Sequence, residues 1–301
     1  MVALIKLWNR RVLASPDDIA VIAADEQVTY TELDERASVL ARLLRARGVG
    51  PEILVGVCID RSVNLVVGLL GILKAGGACV PLDPSCPAER LRHLVADSGV
   101  RLVLCDSQEP SSLSGGDVEF FAVDRLRLVA ETGRVAPHVH AQNLAYVSYT
   151  SDSAGRPRGV AITHASIGTF LRRMAKESGL AAGDRVLDLA PLSFDRSALE
   201  IFLPLTVGGC VVFAPAGANT NPELLAAMVK KHGVTMVRAS FDNLEVHSEP
   251  GGTVPETVDG TTQSMAIGRA HPVAEVVVRG FNPVRHLDRP GFHELEPAAR
   301  A

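Results

Sequence analysis

The sequence predicts an α/β fold in which mainly parallel sheets are covered by helices. Helical and strand patterns alternate along the chain, the strand segments are continuous apolar runs, and glycine or proline marks most helix ends. Strands buried on both faces and joined by helical crossovers are typical of parallel sheets. The chain has 301 residues, 47% hydrophobic and 21% charged, which is enough for a substantial core in one or two domains.

The first half of the chain alternates between predicted helices and strands. The first helix spans about 31–47, since Thr31 and Asp34 form a capping-box-like start and Gly48 marks its end. The next segments are predicted in the order strand 53–59, helix 62–74, strand 79–82, a helix beginning at Pro87, and strand 101–105.

The pattern resumes in the second half, after two predicted loops at 107–117 and 132–143. The later segments are predicted as helix 165–177, strand 185–190, helix 197–205, strand 210–214, helix 222–232 and strand 234–237. From about Phe241 the periodicity is lost, and only 274–278 again indicates a strand. We therefore expect residues 1–245 to form the α/β core and 246–301 to be a poorly ordered or incomplete remnant of a following β-rich subdomain.

Composition argues against several classes of protein. The formal net charge of −4 is spread along the chain without a basic stripe, so we expect no nucleic-acid partner. The longest apolar stretch, 65–73, is about half of the roughly 20 residues that a membrane span needs, and Lys6, Asn9 and Arg10 interrupt any signal-peptide run. Five cysteines without CxxC spacing indicate reduced thiols. We expect a cytoplasmic protein without membrane attachment.

The segment 144–164, LAYVSYTSDSAGRPRGVAITH, is the strongest functional signal in the chain. A loop of small hydroxyl and glycine residues joins two apolar runs, and such loops leave backbone N–H groups free to bind phosphate oxygens. The segment is not a Walker loop, which needs GK before Ser or Thr, and it lacks the GxSxG frame of a hydrolase. An ordinary polar hairpin turn is the alternative. The candidate phosphate-binding residues are Thr150, Ser151, Ser153, Gly155, Arg158 and Gly159.

This segment resembles the signature loop of the adenylate-forming enzymes, particularly the adenylation (AMP-binding) domains of nonribosomal peptide synthetases, which usually reads YTSGSTGxPKG. Three further segments resemble other motifs of that family in the right order: VTYTEL at 28–33, LKAGGACVPLDP at 73–84 and LSFDRS at 192–197. The resemblance covers about 8–245 and, more loosely, 256–283. It implies the large N-terminal subdomains of the adenylate-forming fold. We assign Thr29, Tyr30 and Lys74 to capping and packing rather than chemistry.

The resemblance implies ATP-dependent activation of an amino acid, with ATP and Mg²⁺ as cofactors. The aminoacyl group would then pass to the thiol of a peptidyl carrier protein or to other synthetase modules. Asp195 matches the residue that holds the α-ammonium of the substrate, although it could instead cap a helix. Arg196 and Leu199 match substrate-pocket positions, and Glu256 is the best match for the residue that helps hold Mg²⁺.

Departures from the family pattern lead us to expect impaired activity. Asp152 stands where Gly is usual, Ala154 where Thr is usual and Arg158 where Lys is usual. A carboxylate about 5 Å from a phosphate repels each negative charge by about 3 kcal/mol at an effective dielectric near 20. The ribose-binding Asp motif, the catalytic Lys and the small C-terminal domain of the family are missing from the sequence, so no catalytic residue is assigned.

Two other functions stay open at this point. The first is a non-catalytic nucleotide-binding or docking module, and the second is acyl adenylation as in acyl-CoA ligases, which usually lack the matching Asp. Whether the chain is an active ligase is also open. We assign His164 to capping or packing. The pair His138 and His140 is better explained by a solvated loop than by a metal site.

Overall fold

The α/β architecture expected from the sequence is confirmed by a computed structural model that contains two mixed sheets flanked by helices. The structure describes residues 3–24, 26–113, 117–126, 139–151, 157–189, 198–215, 217–218, 221–240, 265–270, 276–281 and 292–294. Within these ranges no helix combines the length and apolar character that a membrane crossing requires.

The first sheet has seven strands, with parallel neighbours at its centre and antiparallel neighbours at both edges. Its strands are β1 (Ile19–Ala23), β2 (Glu26–Thr29), β9 (Arg185–Asp188), β10 (Cys210–Phe213), β11 (Met236–Ser240), β12 (Met265–Ala270) and β13 (Val276–Phe281). They lie in the order β13-β12-β11-β9-β10-β1-β2.

The second sheet also has seven strands, in the order β14-β8-β7-β4-β3-β5-β6. Its strands are β3 (Leu54–Cys58), β4 (Ala78–Pro81), β5 (Leu102–Cys105), β6 (Glu119–Ala122), β7 (Leu144–Ser151), β8 (Pro157–Thr163) and β14 (Phe292–Glu294). The strands from β7 to β6 are parallel, whereas β8 and β14 pair antiparallel to their neighbours. The hairpin of β7 and β8 therefore sits at the side of a parallel sheet.

Seven α-helices cover the sheets within the described ranges, and they are distributed over three apolar layers. They are α1 (Leu4–Ala14), α2 (Tyr30–Ala46), α3 (Val63–Ala75), α4 (Ala88–Ser98), α5 (His164–Ser178), α6 (Leu203–Val207) and α7 (Pro222–His232). The largest layer joins α1, α2, α3, α5 and α6 to one face of each sheet. Helix α4 packs on the other face of the second sheet, and α7 on the other face of the first.

Helices α2 and α3 pack closely because Gly71 gives Leu40 room at their contact. A Cβ at Gly71 would lie 2.6 Å from Leu40 Cδ2. A buried ion pair joins the same two helices, since Lys74 Nζ lies 2.5 Å from Asp34 Oδ1. This carboxylate also accepts a hydrogen bond from Trp8 Nε1 at 2.7 Å, which attaches α1 to the pair.

The start of α2 differs from the sequence prediction. The capping box is formed by Thr29 and Glu32, with the Thr29 side chain bonded to the Glu32 N–H and the Glu32 carboxylate to the Thr29 N–H. The prediction that Thr31 and Asp34 form it was wrong by two residues, because Asp34 points into the core towards Lys74. The assignments of Thr29 to capping and of Tyr30 and Lys74 to packing are confirmed.

Other boundaries agree with the sequence patterns to within a few residues, and helix 222–232 agrees at both ends. The predicted helix 197–205 is instead a π-helical turn, Ala198–Phe202, followed by α6. The predicted loop 107–117 contains a 3₁₀ turn at Ser111–Leu113. The sequence patterns did not predict α1, β1, β2, β6, β12 and β14.

Candidate functional site

The candidate phosphate-binding segment forms the β7–β8 hairpin. The two strands pair antiparallel up to Thr150 opposite Arg158 and Ser151 opposite Pro157. The predicted residues Thr150, Ser151 and Arg158 are therefore brought together at the end of the hairpin, with Gly159 one residue further along β8. The five residues between the strands, 152–156, lie outside the described residues and include the predicted Ser153 and Gly155.

The end of this hairpin lies at the carboxyl edge of the parallel strands. Strand β7 runs parallel to β4, with Tyr146 opposite Cys79, so β7 ends at Ser151 on the same edge of the sheet as β4 does. In open α/β sheets, ligands bind outside the carboxyl ends of the strands. The phosphate-binding hypothesis therefore places the ligand at the usual edge of such a sheet.

Gly159 has a packing role next to Tyr149. The two residues are opposite each other in the hairpin, and a Cβ at Gly159 would lie 3.2 Å from Tyr149 Cζ and 3.3 Å from Val147 Cγ1. Glycine thus lets the Tyr149 ring lie against the neighbouring strand. The Tyr149 hydroxyl donates a hydrogen bond of 2.8 Å to Asp97 Oδ2 on α4. Burial, with the Asp97 carboxylate alongside, raises the pKa of Tyr149, so the hydroxyl is a donor at neutral pH.

The candidate substrate residues follow the carboxyl end of a strand in the first sheet. Strand β9 ends at the buried Asp188, and the predicted Asp195 and Arg196 come a few residues later, outside the described residues. Leu199 lies in the π-helical turn Ala198–Phe202. Helices with a π-type turn often occur at functional sites.

The π-helical turn carries a buried acidic group that the sequence analysis did not single out. Glu200 is 1% exposed, and its Oε2 has no hydrogen-bond partner within the described part of the chain. An unsatisfied buried carboxylate oxygen is uncommon in proteins. The sequence signal was the acidic residue in the otherwise apolar run 198–205.

His164 lies at the other end of the hairpin, away from the candidate phosphate site. It follows Thr163, the last residue of β8, and its backbone N–H bonds to Asn143 O before β7. Its imidazole is fully buried, neither ring nitrogen has a partner among the described residues, and burial lowers its pKa to about 4. Helix α5 is capped by the Thr163 side chain, so His164 has the packing role expected of it.

The cysteines are free thiols, as the sequence analysis expected. Cys58 and Cys105 are opposite each other on β3 and β5, and burial raises the pKa of Cys58 to about 12 and that of Cys105 to about 11. Thiols with such pKa values carry little reactive thiolate at neutral pH. Both side chains are buried and have a packing role.

The described end of the hairpin is compatible with a nucleotide phosphate. The small residues Ser151 and Gly159 frame the loop that would meet phosphates, and Arg158 is an exposed cation at that end. The described residues contain no group of three His, Cys, Asp or Glu side chains that could hold a metal ion. The predicted metal ligand Glu256 and the histidine pair's His138 lie outside the described residues.

Comparison with known proteins gives a family match over most of the chain. Residues 8–241 match the family model described as AMP-binding enzyme. Tyrocidine synthase 3 of Brevibacillus parabrevis is 36% identical over 253 residues, which are 83% of this chain and 4% of that synthase.

Solved structures of similar proteins agree with this match. The nonribosomal peptide synthetase FmoA3 superposes with a TM-score of 0.72 at 31% identity, over 78% of this chain and 25% of that one. FmoA3 has also been solved with AMPPNP and with α-methyl-L-serine-AMP. NpsA-ThdA of Klebsiella oxytoca, an artificially fused adenylation–PCP didomain, gives a TM-score of 0.70 at 28% identity over 78% of this chain and 47% of that one. The chain thus spans less than half of each of these relatives.

Proposed function

The chain belongs to the AMP-binding enzyme family, as an adenylation domain of the nonribosomal peptide synthetase type, and we propose that it binds ATP and activates an amino acid as its adenylate. The observation that carries this proposal is the β7–β8 hairpin, which holds the YTS and PRG segments opposite each other at the carboxyl edge of the second sheet. Residues 1–245 form the activating core in this proposal.

In the proposed reaction, an oxygen of the amino-acid carboxylate forms a bond to the α-phosphorus of ATP. The bond to the bridging oxygen breaks, and pyrophosphate leaves with the electron pair, which gives an aminoacyl-AMP. The protein contributes positioning and charge neutralisation rather than covalent chemistry. The hydroxyls of Thr150, Ser151 and Ser153 and the backbone at Gly155 and Gly159 would hold the phosphates.

Positive charge at the same loop would offset the charge of the triphosphate. Arg158 takes this role, because a guanidinium donates to phosphate oxygens in a fixed fork geometry. Mg²⁺ would neutralise further phosphate charge when bound, with Glu256 as the proposed protein ligand.

The amino acid would bind beside the carboxyl end of β9. Asp195 would hold its α-ammonium, and Arg196 and Leu199 would line the pocket for its side chain. Leu199 is supported by its place in a π-helical turn just after the segment that contains Asp195. A substrate with an α-amine, rather than a simple acyl acid, is supported by the presence of Asp195. Acyl adenylation as in acyl-CoA ligases is the less favoured alternative.

We propose that the aminoacyl group passes to a carrier-protein thiol in the cytoplasm. The five free cysteines, four of them buried, are compatible with a reducing compartment. Fusion of NpsA to a PCP domain supports a carrier protein as the partner of a related domain.

Turnover is proposed to be slow, because Asp152 adds a negative charge to the phosphate loop. At an effective dielectric near 20 the repulsion is about 3 kcal/mol per phosphate charge at 5 Å, which is roughly a hundredfold in affinity. A non-catalytic nucleotide-binding or docking module is the second candidate. Weaker phosphate binding through Asp152 would favour the docking form of it.

Calorimetry with ATP and Mg²⁺, followed by titration of amino acids, tests the proposal. We expect ATP to bind and one or a few amino acids to bind in its presence, with Asp195→Ala losing the amino acid while retaining ATP. ATP binding without any amino acid would favour the non-catalytic module. A chain that binds no ATP would contradict amino-acid activation and favour the docking module. Amino-acid binding that survives Asp195→Ala would favour the acyl-group alternative.

A further inference from the structure

Tyr149 connects the candidate phosphate hairpin to a helix of another layer. Its hydroxyl hydrogen-bonds to Asp97 Oδ2 at 2.8 Å, and Asp97 is in the last turn of α4, one layer away from the hairpin. This contact joins residues 52 positions apart in the sequence. Neither residue is among the candidate phosphate-binding residues, and the proposed phosphate chemistry uses neither side chain.

The ring of Tyr149 is held on both of its sides. It packs against the apolar layer under α4, which contains Val147, and it covers the backbone of Gly159 on the paired strand. Its position is therefore fixed by packing, and its hydroxyl is fixed by Asp97. The candidate phosphate residues Thr150, Ser151 and Arg158 lie next to this contact, on its loop side.

We propose that Tyr149 is a positioning residue for the nucleotide, with Asp97 as its anchor on α4. The proposal rests on the proposed function and adds to it the source of the hairpin's rigidity. The strand pairs Thr150–Arg158 and Ser151–Pro157, which directly follow the Tyr149–Gly159 pair, are the last before the loop. Without the Tyr149–Asp97 hydrogen bond, the end of the hairpin can move relative to α4. Nucleotide binding must then order it, and the entropy cost of that ordering lowers the affinity.

The hydrogen bond, and not the negative charge of Asp97, is the operative feature in this proposal. Asp97→Asn keeps an acceptor oxygen for the Tyr149 hydroxyl, whereas Asp97→Ala removes it. Asp97 is exposed, so neither substitution opens a cavity in the core. Asp97→Asn thus serves as the conservative variant that should rescue binding.

The experiment measures the ATP dissociation constant by calorimetry with Mg²⁺ in the full chain. Tyr149→Phe and Asp97→Ala should each weaken ATP binding roughly fivefold, the net worth of one hydrogen bond. Because both remove the same bond, the double variant should show about the same loss rather than the product of two losses. Asp97→Asn should bind nearly as the wild type does.

Two matched controls separate positioning from general stability. Tyr30→Phe removes a buried tyrosine hydroxyl that donates a hydrogen bond of 2.7 Å to Gly209 O, just before β10 of the first sheet. Glu89→Ala removes an exposed carboxylate from α4, the helix that carries Asp97. Neither control should change ATP binding. Amide hydrogen exchange of the peptide 144–163 should be faster in Tyr149→Phe than in the wild type and unchanged in Glu89→Ala.

Wild-type protein that fails to bind ATP overturns the proposed function, and this inference with it. If the wild type binds ATP and Tyr149→Phe and Asp97→Ala bind it equally well, only the positioning role is overturned. The shared hydrogen bond is also contradicted if the loss of ATP affinity in the double variant is the product of the two single losses. The same holds if Asp97→Asn loses as much ATP affinity as Asp97→Ala.

Discussion

Lys74 Nζ lies 2.5 Å from Asp34 Oδ1, and both side chains are buried between helices α2 and α3. Trp8 Nε1 donates to the same oxygen at 2.7 Å, so three helices meet at one carboxylate. A charge in such a position is tolerated only while its partner is present, because desolvation penalises an unpaired ion. The pair therefore makes the packing of α1, α2 and α3 interdependent.

Lys74→Met should destabilise the fold markedly. Removing one member of a buried pair leaves the Asp34 carboxylate without a counterion, which typically costs about 3–5 kcal/mol. Urea unfolding followed by circular dichroism measures the change in the free energy of unfolding.

The double variant Lys74→Met with Asp34→Asn is the control for this effect. It removes both charges but keeps an oxygen for Trp8 Nε1, so it should recover at least about half of the lost stability. A double variant as unstable as, or less stable than, Lys74→Met would mean that the buried charge is not the cause.

Stability should fall in mild acid through His164. Its folded pKa of about 4 is below the value of 6.5 for an exposed His, so the unfolded chain binds an extra proton between these two pH values. The free energy of unfolding therefore decreases as pH falls from about 6.5 to about 4, by about 3 kcal/mol in total from this group, and is unaffected by it above that range.

His164→Leu removes the titrating group and should flatten this part of the pH profile. Denaturant unfolding at pH 7 and pH 5 gives the comparison, with the wild type losing about 2 kcal/mol more than the variant over that interval. Equal losses in the two proteins would show that His164 is not held neutral in the folded state.

Gly159→Ala should destabilise the hairpin by about 1 kcal/mol, because overpacking forces the neighbouring side chains to move. The new Cβ would lie 3.2 Å from the ring of Tyr149. Gly50→Ala is the matched control, since no heavy atom lies within 4 Å of the position its Cβ would take. Thermal unfolding compares the two, and a Gly159→Ala variant as stable as Gly50→Ala would argue against the packing role.

Asp152→Gly should strengthen ATP binding by about tenfold or more, since it removes a negative charge from the phosphate loop. Asp152→Asn removes the negative charge but keeps a Cβ, and it should give most of the gain in ATP affinity. Glu35→Gln, which neutralises an exposed carboxylate on α2, is the control and should leave the affinity unchanged. Calorimetry at two salt concentrations measures these constants. If neither Asp152 variant binds ATP more tightly than the wild type, the charge of Asp152 is not a cause of slow turnover.

Elements with a strong local pattern were predictable from the sequence. Helix α7 begins at Pro222 after the capping Asn221 and ends before Gly233 in the left-handed region, so its end signals are all local. Helix α3 ends in the same way at Gly76. The hairpin at 144–163 was located from its motif, although its register and the Tyr149–Asp97 contact were not foreseen.

The parts that were missed depend on contacts between distant segments. Helix α1 is amphipathic, but no side chain caps its start and no acidic residue lies in its first turn, so the local helix signals are weak. The capping box at Thr29 competes with an identical spacing at Thr31, and only the pairing of Asp34 with Lys74 decides between them. Strand β6 is short and only partly buried, so its pattern is weak.

The exchange of labelled pyrophosphate into ATP, measured with each of the twenty amino acids, tests amino-acid activation most directly. We expect slow exchange that depends on one or a few amino acids, is faster in Asp152→Gly and is lost in Asp195→Ala. Exchange that no amino acid raises above the background without amino acid would contradict activation by this chain. Exchange in the wild type as fast as in Asp152→Gly would contradict the proposed impairment.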